Sequence, residues 1–225
     1  VDRIHKAVAV AQLIIDVLGR QAEQGDDVLP AAKIRVGIDS GEALAVNNGR
    51  PGAREPLFLG PAANLAAKLA AGNAAGIYVT DHVRAMLDWD AVEDEHATPL
   101  TAMQIEASLV EADLDVTADE IWDAWVDDLE KNPIGRFEFS AHTPPYATLD
   151  LDALGPSYAR RQDALSLYAD IDGFTQYVAD SIDNDADAED VVRVLHVLRS
   201  ELDAVLTSDF QGAKIRFIGD CVHGA

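Results

Sequence analysis

Cysteine is nearly absent from this chain of 225 residues: Cys221 stands alone, so no internal disulfide framework can form. A chain of that kind suits a reducing compartment, and the cytoplasm is the expected location. Long hydrophobic runs are missing as well. The apolar stretches are too short and too interrupted to span a bilayer, and the amphipathic start from Val1 to Leu18 carries charges throughout, unlike a secretory leader. Positive charge is scarce: 17 Lys and Arg face 40 Asp and Glu, a formal net charge of -23. That field disfavours nucleic-acid backbones and anionic membrane surfaces as partners. The signatures of several chemistries are also lacking. There is no Gly-x-x-x-x-Gly-Lys-Ser/Thr phosphate loop and no His-Glu-x-x-His pair, and the six histidines are scattered. Ser40 in Gly37-Ile-Asp-Ser-Gly41 is displaced by one residue from a nucleophile elbow. Asp183, Asp185, Asp187 and Asp190 fail as a calcium loop, because Ala188 and Val194 stand where glycine and glutamate are required, and they read as a solvated acidic loop.

What is present is an ordinary globular composition, 48% hydrophobic and 25% charged, enough for a sizeable core. The helical spacing of Ile4, Val8, Ala11, Ile15 and Leu18 predicts an amphipathic helix that ends before Gly19. Strands are expected at Ile34 to Ile38, Leu44 to Val46 and Ile77 to Val79, with a basic loop containing Arg50 and Arg54 and a helix over Ala62 to Ala70. Thr80 or Asp81 is expected to cap a helix over His82 to Leu87. From Trp89 to Asn132 two acidic helices are expected, one opened by Thr98 with Pro99 at its first position, the other by a Thr117/Glu120 capping box. Trp122 and Trp125 read as packing anchors there. Phe137 to Phe139 is a strand candidate, and Gly155-Pro156 marks a boundary near residues 150–160. Beyond it come a buried strand from Leu165 to Ile171, a helix whose apolar face includes Val191, Leu195, Leu198 and Leu202, and a hairpin from Lys214 to His223 turning at Gly219-Asp220.

Acidity argues against DNA but not against a nucleotide, which divalent ions and backbone N–H groups can neutralise locally. Asp170 and Asp220 lie at the ends of two expected strands that can be neighbours, and paired hard oxygen ligands suit Mg²⁺ or Mn²⁺ bridging triphosphate oxygens. Gly173, Phe174 and Thr175 open a helix just after Asp170, so their N–H groups and the positive end of the helix dipole are placed to receive phosphates. Taken singly, Asp170 also fits a helix cap and Asp220 a hairpin turn. Cys221 reads as a small strand residue rather than a nucleophile.

The segments Tyr168-Ala-Asp-Ile-Asp-Gly-Phe-Thr175 and Lys214-Ile-Arg-Phe-Ile-Gly-Asp220 resemble the first half of a class III nucleotidyl cyclase domain. Lys33-Ile-Arg-Val-Gly-Ile-Asp-Ser-Gly41, Gly60-x-x-x-Asn64-Leu-Ala-Ala-Lys68-Leu and Gly76-Ile-Tyr-Val-Thr80 are similar to the second half of one. The resemblance implies an α/β (α+β) fold of the ferredoxin-like cyclase type and active sites shared between two cyclase domains. Asp170 and Asp220, with the Ile171 carbonyl, would hold two Mg²⁺ or Mn²⁺ ions; Asn64 would orient the ribose. Lys68 stands where the family has an arginine, which keeps the charge and loses the planar fork. Base contacts fall on Arg216, where lysine or glutamate is usual, and on Leu57, where aspartate or cysteine is usual. Neither the adenine nor the guanine pattern is present, and an arginine that only donates suits the carbonyl oxygens of a pyrimidine. Bacterial pyrimidine cyclases of antiphage signalling belong to this superfamily.

The order of the halves is reversed, which suggests a piece of a tandem enzyme cut at both ends. The expected division is residues 1–88 as the second half of one cyclase domain, 89–135 as a helical insertion, 136–160 as a last strand region and linker, and 161–225 as the first half of the next domain. A single circularly permuted domain is the other arrangement. The implied partners are a nucleoside triphosphate and a second cyclase domain, in cis or from a homodimer; a nucleotide-binding regulatory module without turnover is the other functional reading.

Overall fold

The structure, a computed structural model, describes residues 1–24, 32–48, 55–133, 135–145, 148–155, 157–212, 214–218 and 221–224. The basic loop with Arg50 and Arg54, and also Tyr146, Pro156, Gly219 and Asp220, lie outside the described residues. In chain order the elements are α1 (Asp2–Gln24), β1 (Arg35–Ile38), β2 (Leu44–Asn48), β3 (Glu55–Leu59), α2 (Pro61–Ala70), β4 (Gly76–Val79), α3 (Asp81–Met86), α4 (Ala102–Ala112) and α5 (Ala118–Lys131). They continue with β5 (Glu138–Ala141), β6 (Tyr158–Arg161), β7 (Leu167–Ala169), α6 (Phe174–Ser181), α7 (Asp185–Ala204) with a π-helical turn (Val205–Asp209), β8 (Lys214–Ile218) and β9 (Cys221–Gly224). The chain divides into two compact units: the first is Val1–Glu42 with Pro61–Asn132, the second Ala43–Gly60 with Pro133–Ala225.

In the first unit β1 and β4 pair in parallel, Val36 opposite Ile77 and Ile38 opposite Val79. Helix α1 lays Ile4, Val8 and Ala11 against Ile77, Val79, Val83 and Leu100, the core of the unit. It runs on through Gly19 to Gln24 rather than ending at the glycine. A Cβ added at Gly19 would meet nothing within 4 Å among the described residues, so the glycine costs only its propensity, about 1 kcal/mol, which the buried stripe of the same helix offsets. Thr80 caps α3 by accepting from the Val83 N–H. Helix α4 opens at Thr101, not Thr98: Thr101 and Gln104 form a complete capping box, while the Leu100 N–H donates to the Ile77 carbonyl and the Thr98 carbonyl accepts from Arg84, which holds that stretch extended. The expected Thr117/Glu120 box opens α5, and the two hydrogen bonds from Thr117 hold the Glu120 carboxyl below the usual carboxylate range. Trp122 and Trp125 meet edge to face at 6.2 Å, but no residue of α5 is buried and Trp125 is 42% exposed, so these rings are surface pieces of an apolar face shared with α1 rather than core anchors.

In the second unit β2 and β3 form an antiparallel hairpin, Leu44 opposite Leu59 and Val46 opposite Leu57. Strand β3 was not expected. Strands β5 and β6 pair in parallel, which puts a strand inside the stretch expected to be linker. A three-stranded sheet of order β7-β9-β8 closes the unit, with β8 and β9 forming the expected hairpin from Ile218 opposite Cys221. Strand β7 is shorter than expected and is not buried: it pairs only with β9 in this sheet, and Leu165 and Tyr168 are 80% and 63% exposed. Asp185, Asp187 and Asp190 are helical rather than in an acidic loop, because Asn184 caps α7 and acidic side chains favour a helix N-terminus.

Close approach of β1 to α2 leaves Gly37 no room for a side chain. A Cβ there would lie 2.1 Å from the Ala66 carbonyl oxygen and 2.6 Å from the Ala70 nitrogen, both backbone atoms. Gly37→Ala is expected to destabilise the first unit by about 1–3 kcal/mol, read as a lowered urea midpoint, while Gly19→Ala leaves the midpoint unchanged or raises it.

Candidate functional site

The residues expected to carry chemistry fall into two sets, one in each unit. Asn64 and Lys68 belong to the first unit, four residues apart on α2 and therefore on one face of that helix. Asn64 is half-buried and Lys68 exposed. Gly60, at φ 151°, turns the chain from β3, and Pro61 then takes the first helical position, where its fixed φ and missing N–H cost nothing. Arg35 secures the other end of α2. Its guanidinium donates to the Leu69 carbonyl at 2.6 Å and to the Ala74 and His96 carbonyls, and it lies 3.5 Å from the centre of the Tyr78 ring. A cation at a helix C-terminus is favourable in the field of the helix dipole.

The second set lies in the second unit. Asp170 follows β7 directly and is exposed. Gly173 adopts φ 74°, a left-handed conformation, and serves as the N-cap of α6 without a side-chain cap. The turn between is closed by Phe174 N–H donating to the Ile171 carbonyl at 3.4 Å and by Tyr177 N–H donating to the Gly173 carbonyl at 3.0 Å. Thr175 is exposed on the first turn, whereas Phe174 is 6% exposed and half-buried Ile171 packs against the same apolar cluster. That cluster unites Phe174, Val178, Val191 and Leu195 with Leu59, and half-buried Leu57 joins it. The structure thus brings together three residues expected to serve the nucleotide, Leu57, Ile171 and Phe174, through their side chains.

Arg216 is exposed on β8 opposite His223 of β9, and His223 is opposite Tyr168 of β7. The His223 and Tyr168 rings stack, centres 4.3 Å apart and nearly parallel. Directly opposed residues share a sheet face, so Arg216, His223 and Tyr168 form one polar row. Neither Tyr168 nor His223 was singled out as a site residue from the sequence; period-two alternation finds both once β7 is paired with β9.

Asp220 lies outside the described residues, and among the described residues no group of three or more His, Cys, Asp and Glu is positioned to hold a metal ion. The donors that are described, an exposed carboxylate and a main-chain carbonyl next to it, are hard oxygen ligands of the type Mg²⁺ and Mn²⁺ take. No helix among the described residues is long and apolar enough to cross a membrane.

No protein-family model matches the chain. It is 57% identical over 224 residues to a protein of Pseudomonas aeruginosa named uridylate cyclase, covering 98% of this chain and 43% of that protein. It is 39% identical over 242 residues to another of the same name from a Rhizobium species, covering 99% of this chain and 45% of the relative. The chain therefore spans less than half the length of these relatives. A crystal structure of a class III adenylyl cyclase-like ATP-binding protein from Pseudomonas aeruginosa matches with a TM-score of 0.90 and 56% identity, covering 99% of this chain and 47% of that one. The mixed α/β fold is thus shared with a class III cyclase-like protein.

The left-handed turn before α6 gives a direct test. Gly173→Ala forces an L side chain into a conformation that costs roughly 1–2 kcal/mol; on the expectation that this turn receives phosphate, the outcome is weaker nucleotide binding in a titration, with most of the thermal stability kept.

Proposed function

In sequence and fold the chain belongs to the class III nucleotidyl cyclase family, and we propose that it forms part of a nucleotide cyclase that converts a nucleoside triphosphate to a 3′,5′-cyclic nucleotide and pyrophosphate. The observation that carries this reading is the placement of exposed Asp170 at the end of β7, directly before the left-handed turn that opens α6. An exposed carboxylate beside a helix N-terminus suits a metal-bound triphosphate, and the names of the relatives support the same reaction.

In this proposal Asp170, Asp220 and the Ile171 carbonyl would hold two Mg²⁺ or Mn²⁺ ions, which would supply charge neutralisation to the triphosphate. The N–H groups of Gly173, Phe174 and Thr175 receive phosphate oxygens at the positive end of α6. The ribose 3′-hydroxyl loses its proton to water as its oxygen attacks the α-phosphorus; a bond forms between them, the bond from that phosphorus to the bridging oxygen breaks, and pyrophosphate leaves. Asn64 orients the ribose, and Lys68 sets its ammonium against the charge that develops on the phosphate, with less angular selectivity than an arginine. The partner is a second cyclase domain, in cis or in a homodimer, so that a metal half-site meets an Asn64/Lys68 half-site. In this proposal residues 1–88 are the second half of one cyclase domain, 89–135 a helical insertion, 136–160 a last strand region and linker and 161–225 the first half of the next domain, and the diffusible product acts as a signal in the cytoplasm.

The base proposed is uracil. Arg216 donates to its carbonyl oxygens, and Leu57 offers no hydrogen-bonding group, which leaves selection to the polar row around Arg216. A binding module without turnover is the second reading, favoured by Lys68 in the arginine position and by the description of the matched crystal structure as an ATP-binding protein.

The full-length protein incubated with each nucleoside triphosphate and Mn²⁺ is expected to yield chiefly cyclic UMP. Dominant cyclic AMP would reject the base assignment, and no product from any nucleotide would favour the binding module. Asp170→Ala is expected to abolish turnover, and Lys68→Ala to lower kcat by about 10²–10³ with little change in folding.

A further inference from the structure

Leu57 occupies the position from which the family contacts the base, yet it faces an apolar cluster in this structure. The hairpin β2–β3 has one apolar face, built from Leu44 and Val46 on one strand and their cross-strand partners Leu59 and Leu57 on the other. Ala45 and Phe58 point the opposite way by alternation, and Phe58 is 62% exposed. The apolar face packs on Phe174, Val178, Val191 and Leu195, of which Val191 and Leu195 are fully buried. Ile171 and Phe174, the residues at the two ends of the turn that opens α6, both anchor in this cluster.

We infer that Leu57 and Leu59 are positioning residues for the phosphate-binding turn, acting through Phe174 and Ile171, and that Leu57 does not read the base. This inference rests on the proposal that the Gly173–Thr175 turn receives the triphosphate. Between its two anchors the turn contains only Asp172 and Gly173, and glycine in the left-handed region does not stiffen it. The direction of the N–H groups at 173–175 is therefore set by how firmly the flanking side chains are held. Leu59, 5% exposed, belongs to the same buried cluster as Phe174, Val178, Val191 and Leu195, so hairpin and helices hold that cluster together. Shortening Leu59, or Leu57 packed against the cluster, leaves space in the cluster that Phe174 shares and into which its ring can shift, and a shift at the first residue of α6 moves the N–H groups of the same turn. A residue more than a hundred positions upstream then affects phosphate binding without touching phosphate.

Two kinds of contact leave different traces. A residue that reads the base changes the ratio between nucleotides and leaves inorganic tripolyphosphate alone. A residue that positions the turn weakens tripolyphosphate and every nucleoside triphosphate by the same factor. The test is calorimetric titration of the protein with tripolyphosphate in Mn²⁺, together with steady-state kinetics on UTP, CTP and ATP. Leu57→Ala is expected to weaken tripolyphosphate binding and raise KM for each nucleotide about tenfold, with their ratio unchanged. Leu57→Met, which restores the volume, is expected to recover most of the loss. Val46→Ala, across the hairpin from Leu57, is expected to repeat the effect and serves if Leu57→Ala fails to fold. A changed nucleotide ratio with unchanged tripolyphosphate affinity would overturn the inference. So would a lowered melting temperature with every binding constant intact. A wild-type protein that binds tripolyphosphate but forms no cyclic nucleotide would instead sink the cyclase reading, and the binding arm would still decide the role of Leu57.

Discussion

The turn from Ile171 to Phe174 rests on two end residues that pack inward, Phe174 buried and Ile171 half-buried, while its middle stays open. Asp170, Asp172 and Gly173 are exposed, and Ile171 and Phe174 on either side of the open pair turn into the apolar cluster of the second unit. A polar loop with apolar pins at both ends keeps its backbone direction through its side chains, with little reliance on the long 3.4 Å bond from the Phe174 N–H to the Ile171 carbonyl. Hydrophobic burial, which is non-directional, thereby fixes a directional feature, the aim of a helix N-terminus.

The first unit solves the matching problem for α2 by different means. Gly37 lets β1 approach until strand and helix backbones nearly touch, and Arg35, two residues earlier on the same strand, reaches over to the Leu69 carbonyl at the helix end. Steric contact locates the helix along the strand, and the Arg35 guanidinium, bonded to the Leu69 carbonyl in its last turn, keeps it from sliding. Asn64 and Lys68 thus sit on a helix fixed at both termini, by Pro61 at the start and Arg35 at the end. The two units differ in this respect: one seats α6 by apolar packing, the other seats α2 by close contact and charge.

Much of this was legible in the sequence because apolar spacing and caps are local signals. The helix over 62–70, the Thr80 cap, the Thr117/Glu120 box and the β8–β9 hairpin all depend on residues within a few positions of one another. The departures occur where a distant partner decides. Strand β3 contains Glu55 and Pro56 and reads as loop until its pairing with β2 is known, and β6, Tyr-Ala-Arg-Arg, has no apolar stripe to announce it. Thr98 has the local chemistry of a cap, but the hydrogen bond from Leu100 to Ile77 draws that stretch onto β4 and passes the role to Thr101. The candidate site residues were legible as types, an aspartate after a strand and a glycine before a helix. The partners that hold them, Leu59 above all, were not.

The charge of the chain gives that packing a further consequence. A net charge of -23 repels a triphosphate at long range, so affinity must come from short-range groups whose strength depends on alignment. Backbone N–H groups and a helix dipole fade within one turn of the helix end, and a misdirected turn cannot be rescued by a surrounding basic field, because basic residues are scarce here. In a basic nucleotide-binding protein the general field tolerates loose geometry. In this acidic one, under the proposed reading, the aim of three N–H groups carries more of the binding, and the apolar residues inferred to set that aim matter to function as much as the groups proposed to touch phosphate.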